Sequence, residues 1–332
     1  MTPPAAISVD AFAAIGERLC ADLAHPGAYT AARTTELCAG PTATRCDVAL
    51  FGGDTGRVAA IVNPRLVDDE HRPIGVLGLF EHTDDAPAAA ALLDGACAWL
   101  REHGCAIVRG PMNLTTWHDY RFTVRGFEAG WAPGEPWHPR FYPKLWVEAG
   151  FTPCATYTSN WFENPERVGE QLAPKAQQAL DQGYSIRAMT PRDLPVLYRL
   201  SSAAFADAYM YSPIDADEFG SLYTPASVAA ASRSSYIAHS PEGEPAGLAY
   251  SYPYTFAGHT TLIGKTIAVA PSHRRGPLYP LLLRTWALDG VADGHTQFLS
   301  TLMHVAGDGP SRMGWTRPDT IVKEYALYER AT

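Results

Sequence analysis

Apolar positions along this chain switch between two spacings, and the switches mark its elements. Phe12, Ile15, Leu19 and Leu23 recur near helical spacing over residues 11–23, which predicts a helix with one apolar face. A stretch rich in Gly, Pro and Thr follows. Residues 47–51, 57–63 and 75–80 then read as strands, the first two joined by Gly-Gly-Asp-Thr-Gly, a hairpin signal. Helical spacing returns over 86–103, with Gly104 as a natural stop, and 106–109 is a further short strand.

From about Gly183 the order repeats. Residues 186–189 predict a strand, and Thr190-Pro191 opens a helix over 192–207. Residues 215–232 are helical. The runs 236–239 and 246–255 form a hairpin across Pro-Glu-Gly-Glu-Pro, and 260–269 is a strand. A helix over 278–289, a strand over 297–304, a helical turn around 309–313 and a closing strand over 321–328 complete the series. Between the two series, residues 164–182 open with Asn-Pro-Glu and are rich in Ala, Gln and Glu, which predicts a helical linker. The chain therefore divides into 1–163, 164–182 and 183–332.

Composition narrows the classes. With 332 residues, 46% of them apolar, the chain can build two cores. Its net charge of −9 excludes a globally basic nucleic-acid binder. Residues 1–164 carry 12 basic and 19 acidic groups and residues 165–332 carry 14 and 16, so an anionic partner belongs with the second half. No run approaches the roughly 20 apolar residues of a membrane span. The opening Met-Thr-Pro-Pro-Ala-Ala lacks the basic and apolar regions of a secretory signal, so a cytoplasmic protein is expected. All six cysteines precede residue 155 without a Cys-x-x-Cys pair, which points to reduced thiols and no metal site.

The chemistry concentrates in residues 267–283, Ile-Ala-Val-Ala-Pro-Ser-His-Arg-Arg-Gly-Pro-Leu-Tyr-Pro-Leu-Leu-Leu. A strand enters a short basic loop that opens an apolar helix. Backbone N–H groups at such a helix start favour an anion, and the loop arginines supply counter-charge. The plainer reading is an ordinary strand–loop–helix connection with a solvated arginine pair.

This segment resembles the acyl-CoA-binding motif of the GNAT (Gcn5-related N-acetyltransferase) superfamily. Val269, Pro271 and Arg274 match its Val-x-Pro-x-x-Arg, whereas Pro277 and Tyr279 stand where the family has Gly and then Gly or Ala. The first half resembles that of bacterial tandem GNAT proteins in Arg-Gly-Pro-Met-Asn (109–113), Gly126-Phe127, the aromatic, proline-rich segment 137–142 and Ala149-Gly150-Phe151. The resemblance spans residues 45–328. It implies an α+β fold of two GNAT-like domains, each a mixed, mostly antiparallel sheet flanked by helices. It also implies N-acyl transfer from acetyl-CoA or another acyl-CoA to a small-molecule amine, without a metal.

Carried onto this sequence, the resemblance assigns donor binding to Ile267, Ala268, Val269, Arg274, Arg275 and Gly276, with a backbone amide of 267–269 stabilising the oxyanion. It makes His304, at a strand end, the candidate base, and Tyr325 and Tyr328 the candidate acids. The plainer readings are a histidine bonded to backbone and two tyrosines packed on a sheet. In the first half, Glu81-His82-Thr83-Asp84-Asp85 precedes the corresponding helix. Its carboxylates suit a helix start but repel a diphosphate, so this half reads as a degenerate, structural partner shaping the acceptor side.

Tyr250, Tyr252 and Tyr254 alternate along one strand and share a face; they are candidates for an aromatic acceptor wall, or simply core. Asn113, Thr115, Trp117 and His118 form a polar, turn-rich loop that either reads an acceptor or packs between halves. The loop 131–142 carries more aromatics and prolines than a solvent loop usually holds. Three functional readings stay open: an acyl-CoA-dependent transferase, one fed by aminoacyl-tRNA or an acyl carrier protein, and a non-catalytic binding or scaffold protein. The chain is expected to be a monomer or a homodimer.

Overall fold

In the computed structural model, residues 6–21, 25, 27–256, 258–306 and 318–332 are described. The turn expected at 309–313 and the residue Leu23 lie outside them. Helix α1 (Val9–Cys20) starts where the Ser8 hydroxyl accepts from the Ala11 N–H at 3.3 Å, and α2 (Ala31–Ala39) where Thr30 accepts from Arg33 at 3.2 Å. The second of these helices falls in the Gly, Pro and Thr-rich stretch. Strands β1 (Asp47–Gly52), β2 (Gly56–Val67) and β3 (Pro73–His82) run antiparallel in sequence order. Helix α3 (Ala86–Glu102), capped by Asp85, then crosses over to β4 (Ile107–Gly110), parallel to β3.

Beyond β4 come β5 (Phe122–Arg125), α4 (Tyr142–Glu148), β6 (Thr152–Trp161) and α5 (Pro165–Asp181). The later series contains β7 (Ser185–Ala188), α6 (Leu194–Phe205), α7 (Ala216–Leu222), α8 (Pro225–Ala231), β8 (Tyr236–His239), β9 (Pro245–Phe256) and β10 (His259–Val269). The region 215–232 is thus two helices, because the first stops at its cap residue Tyr223 and Thr224 caps the next. Helix α9 (Leu278–Ala292) crosses from β10 to the parallel strand β11 (Gln297–His304), and β12 (Ile321–Ala331) ends the chain.

The twelve strands of the described residues share one sheet, with β5 beside β12 and the others in the order β1-β2-β3-β4-β12-β6-β11-β10-β9-β8-β7. The two series exchange their last strands. β6, from the first, pairs with β11, and β12, from the second, lies between β4 and β6. Helices α3 and α4 cover one face of the first series over Phe80, Phe122, Trp146 and Phe151. Helices α5 and α9 lie together on the second, where Gly169 has Leu288 so close that a Cβ would come within 2.6 Å. Core clusters also fill the opposite faces.

Candidate functional site

The second series holds an opening that backbone pairing leaves behind. β10 and β11 pair only from Thr261–Gly264 to Gln297–Ser300. Beyond that, a bulge between Gly264 and Thr266 and a break in the β11–β6 register between Ser300 and Met303 let the strands diverge. The β11-facing edge of residues 265–269, which includes Ile267, Ala268 and Val269, has no paired strand there among the described residues.

At the end of β10 a 3-10 turn over Pro271–His273 leads through Arg274, Arg275 and Gly276 to α9, whose N-cap Pro277 makes no side-chain cap. Arg274 donates to the Ala204 carbonyl at 2.6 Å and stands 3.7 Å from Asp207. Arg275 is exposed and has no polar partner among the described residues. The Gly276 N–H is used by the His273 carbonyl at 3.1 Å. Tyr279 packs against the core beneath α9, so its ring is part of the helix seat.

The corresponding opening of the first series is filled. β3 and β4 pair only from Ile74–Val76 to Ile107–Arg109. The next residues then close the gap, with the Met112 N–H donating to the Leu77 carbonyl at 2.8 Å and the Leu79 N–H to Asn113 Oδ1 at 2.7 Å. A Cβ on Gly78 would come within 2.2 Å of the Met112 oxygen, so only glycine permits this approach. Behind the plug, Phe80, Phe122, Tyr142 and Trp146 stack edge to face between α3 and α4. Asp85 is spent on capping α3, and Glu81 is buried 2.8 Å from Arg57.

The other residues singled out in the sequence are scattered around these openings. Thr115 is buried and shares a 2.9 Å hydrogen bond with His118, whose imidazole burial pushes down to about 4. Trp117 donates to the Ser212 carbonyl at 3.1 Å and stands edge-on to Phe219, tying this loop to the second series. Tyr250 and Tyr252 flank Lys265, whose Nζ lies 5.1 Å from the Tyr223 ring centre. These phenols, Tyr223 foremost, hold the ammonium above the ordinary lysine range. The Tyr252 hydroxyl donates to the Pro133 carbonyl, and Tyr254 meets Trp131 edge to face. The loop 131–137 therefore lies along the β9 aromatic row.

His304 ends β11, stacked on Tyr209 and tilted against Tyr157, with ring centres 5.7 and 4.9 Å away. Burial, then the Arg121 guanidinium, keeps it below the usual imidazole range, so the ring is neutral at pH 7. Tyr325 is fully buried and donates to Glu135 at 2.7 Å; it also lies 2.9 Å from Ser159 Oγ. Glu135 further accepts from Lys323 Nζ at 2.7 Å and the Ala132 N–H at 3.0 Å. Burial and Glu135 push the Tyr325 phenol well above its ordinary range. Tyr328 packs in the α3–α4 core beside Trp146 and Phe122. The exchange of strands thus carries both tyrosines into the centre and first part of the sheet.

Two adjoining clefts lie under the loop 131–142. One, about 540 Å³ to its open mouth, is walled by Tyr29, Phe80, Phe122, Trp137 and Tyr142 and reaches Glu81, Asp119 and Arg121. The other, about 490 Å³, is lined by His25, Trp131 and Lys323. All six cysteines are free; burial pushes the Cys20 thiol up to about 12 and those of Cys46, Cys97 and Cys105 to about 11. No group of three metal-ligating side chains occurs among the described residues, and no helix there is long and apolar enough to cross a membrane. Arg121, Lys265, Glu135 and Lys323 gave no sequence motif, because the groups they meet lie far away along the chain.

No family model matches the sequence. The protein YghO of Escherichia coli K12 is 20% identical over 179 residues, 52% of this chain and 45% of YghO, so the aligned region spans under half of that protein. A conserved protein of unknown function from Enterococcus faecalis V583 superposes with a TM-score of 0.60 at 11% identity, over 98% of this chain and 71% of that one. A tandem GNAT protein from the clavulanic acid biosynthesis pathway gives 0.52 at 12% identity, over 98% and 97%. The chain has the tandem GNAT fold, α+β, with two mixed sheets merged into one by exchanged strands.

Proposed function

We propose that this chain is an N-acyltransferase that takes its acyl group from an acyl-CoA thioester at the second opening and passes it to a small-molecule amine. The unequal fate of the two openings carries the reading: one is plugged by Asn113 and backed by Trp146, whereas the other keeps an unpaired strand edge behind an uncapped helix start. The free Arg275 guanidinium and the first N–H groups of α9 suit a diphosphate. Arg274 braces the loop against α6 through Ala204. A bound CoA thioester supplies the activated acyl carbon.

The protein's own groups supply the rest. Amides along the open edge of β10 are donors for a carbonyl oxygen gaining charge, and Lys265 adds positive potential beside them. His304, neutral and held between Tyr157 and Tyr209, accepts the proton of the attacking amine and, as the C–N bond forms and the C–S bond breaks, returns it to the departing thiolate. Tyr325 donates its proton to the buried Glu135, which favours a structural role for that hydroxyl. The first half contributes acceptor-side walls through the loops at 113–118 and 131–142.

Calorimetric titration with acetyl-CoA and CoA tests the donor assignment. Arg275→Ala should weaken binding about tenfold, the worth of one charged hydrogen bond, with Tm unchanged because Arg275 has no polar partner among the described residues. Absence of CoA binding by the wild type at millimolar ligand rejects the reading. Binding of a charged tRNA that weakens steeply with salt would then replace the donor.

A further inference from the structure

Arg121 is a charge without a counter-charge. It is 4% exposed and sits with its guanidinium 3.6 Å from the Tyr120 ring centre and 4.0 Å from that of Tyr157. One Nη donates to the Leu302 carbonyl at 3.2 Å, while Nε is buried with no hydrogen-bond partner. No carboxylate among the described residues stands within ion-pair distance. Two aromatic faces offset part of the desolvation, but a buried cation normally needs an anion as well.

The missing partner has room beside it. Arg121 lines the first of the two clefts with Glu81 and Asp119, and both carboxylates are already matched. Glu81 has Arg57 at 2.8 Å; Asp119 has Arg33 at 2.9 Å and the Tyr29 hydroxyl at 2.6 Å. Arg121 is therefore the one uncompensated charge among the lining residues. A monoanion balances it, whereas a dianion would leave surplus negative charge beside Glu81 and Asp119. The walls, from Tyr29, Phe80, Phe122 and Trp137, suit an apolar or aromatic body.

We propose that Arg121 is the anion receptor of this cleft and that its ligand is a small organic carboxylate. Combined with the transferase reading, on which this step rests, the acceptor is an amine that also carries a carboxylate, of the amino-acid class. Arg121 is bonded to β11 at Leu302, two residues before His304, so the receptor sits beside the strand that bears the base.

The test uses the whole chain without a donor, so it stands or falls separately from CoA binding. Tryptophan fluorescence, with Trp137 in the cleft wall as reporter, follows titration with 3-phenylpropionate and with 3-phenylpropionamide. The acid should bind about tenfold or more tighter than the amide. Arg121→Gln should erase that preference while Tm holds or rises, since an uncompensated buried charge is removed. Arg121→Lys should keep part of it. Equal binding of acid and amide, no binding of either at millimolar concentration, or a preference that survives Arg121→Gln overturns the proposal. So does a Tm lowered by several degrees in both variants, which would make the stacked guanidinium a structural prop.

Discussion

His138 shows how a single residue couples the aromatic loop to solution conditions. Its Nε2 accepts the Thr123 N–H at 2.8 Å, and its Nδ1–H donates to the Pro139 carbonyl at 2.8 Å. Both bonds are satisfied only by the neutral ring. Burial pushes the imidazole down to about 4 from an ordinary 6.5. Between those values the unfolded chain binds more protons than the native one, so this stability is complete above pH 6.5 and is lost as pH falls through the window. By pH 5 the loss from His138 amounts to about 2 kcal/mol. Urea unfolding at pH 7 and pH 5 should show it, and His138→Gln should flatten the slope, leaving the parallel contribution of His118. The sequence marked 131–142 as a loop with too many aromatics for open solvent, and Trp137 and His138 do line both clefts. The partner Thr123 lies on another strand and left no trace in local spacing.

Among the elements, β12 is pinned from outside its own ladder as well as within it. Glu135, in the aromatic loop, accepts from Lys323 and Tyr325 on that strand, and Ser159 on β6 joins the same group. Replacing Glu135 by Gln leaves the Lys323 ammonium buried without an anion. A loss of about 3–5 kcal/mol is expected, read as a lower urea midpoint at unchanged m-value. The closing strand itself was legible as a run of strand-forming residues over 321–328, and the strand–loop–helix over 260–289 from its apolar run, basic loop and apolar helix. β6 was not, because Thr152-Pro-Cys-Ala-Thr-Tyr-Thr-Ser-Asn-Trp161 has few large apolar residues. Its central position in the sheet comes from neighbours on both sides, not from a strong pattern of its own. Alternation reveals that a strand has a buried face but says nothing about which half receives it, so the settings of Tyr325 and Tyr328 could not be read in advance.

At the scale of the molecule, the repeated order of elements made two similar halves legible, while their interlocking is a long-range outcome of pairing. Because β6 borders β11 and β12 borders β4, neither series completes its sheet from its own residues. Fragments 1–163 and 164–332 should each lack cooperative unfolding when produced alone, and mixing them should restore a native circular dichroism melt. A sharp independent transition in either fragment would contradict this. The same interlock bears on synthesis. The berth between β4 and β6 stays vacant until residues 321–331 leave the ribosome, roughly ten to thirty seconds after β6 at ordinary elongation rates. During that interval the nascent first half carries two unpaired strand edges, so slower elongation through the second half should raise its exposure to chaperones and to aggregation.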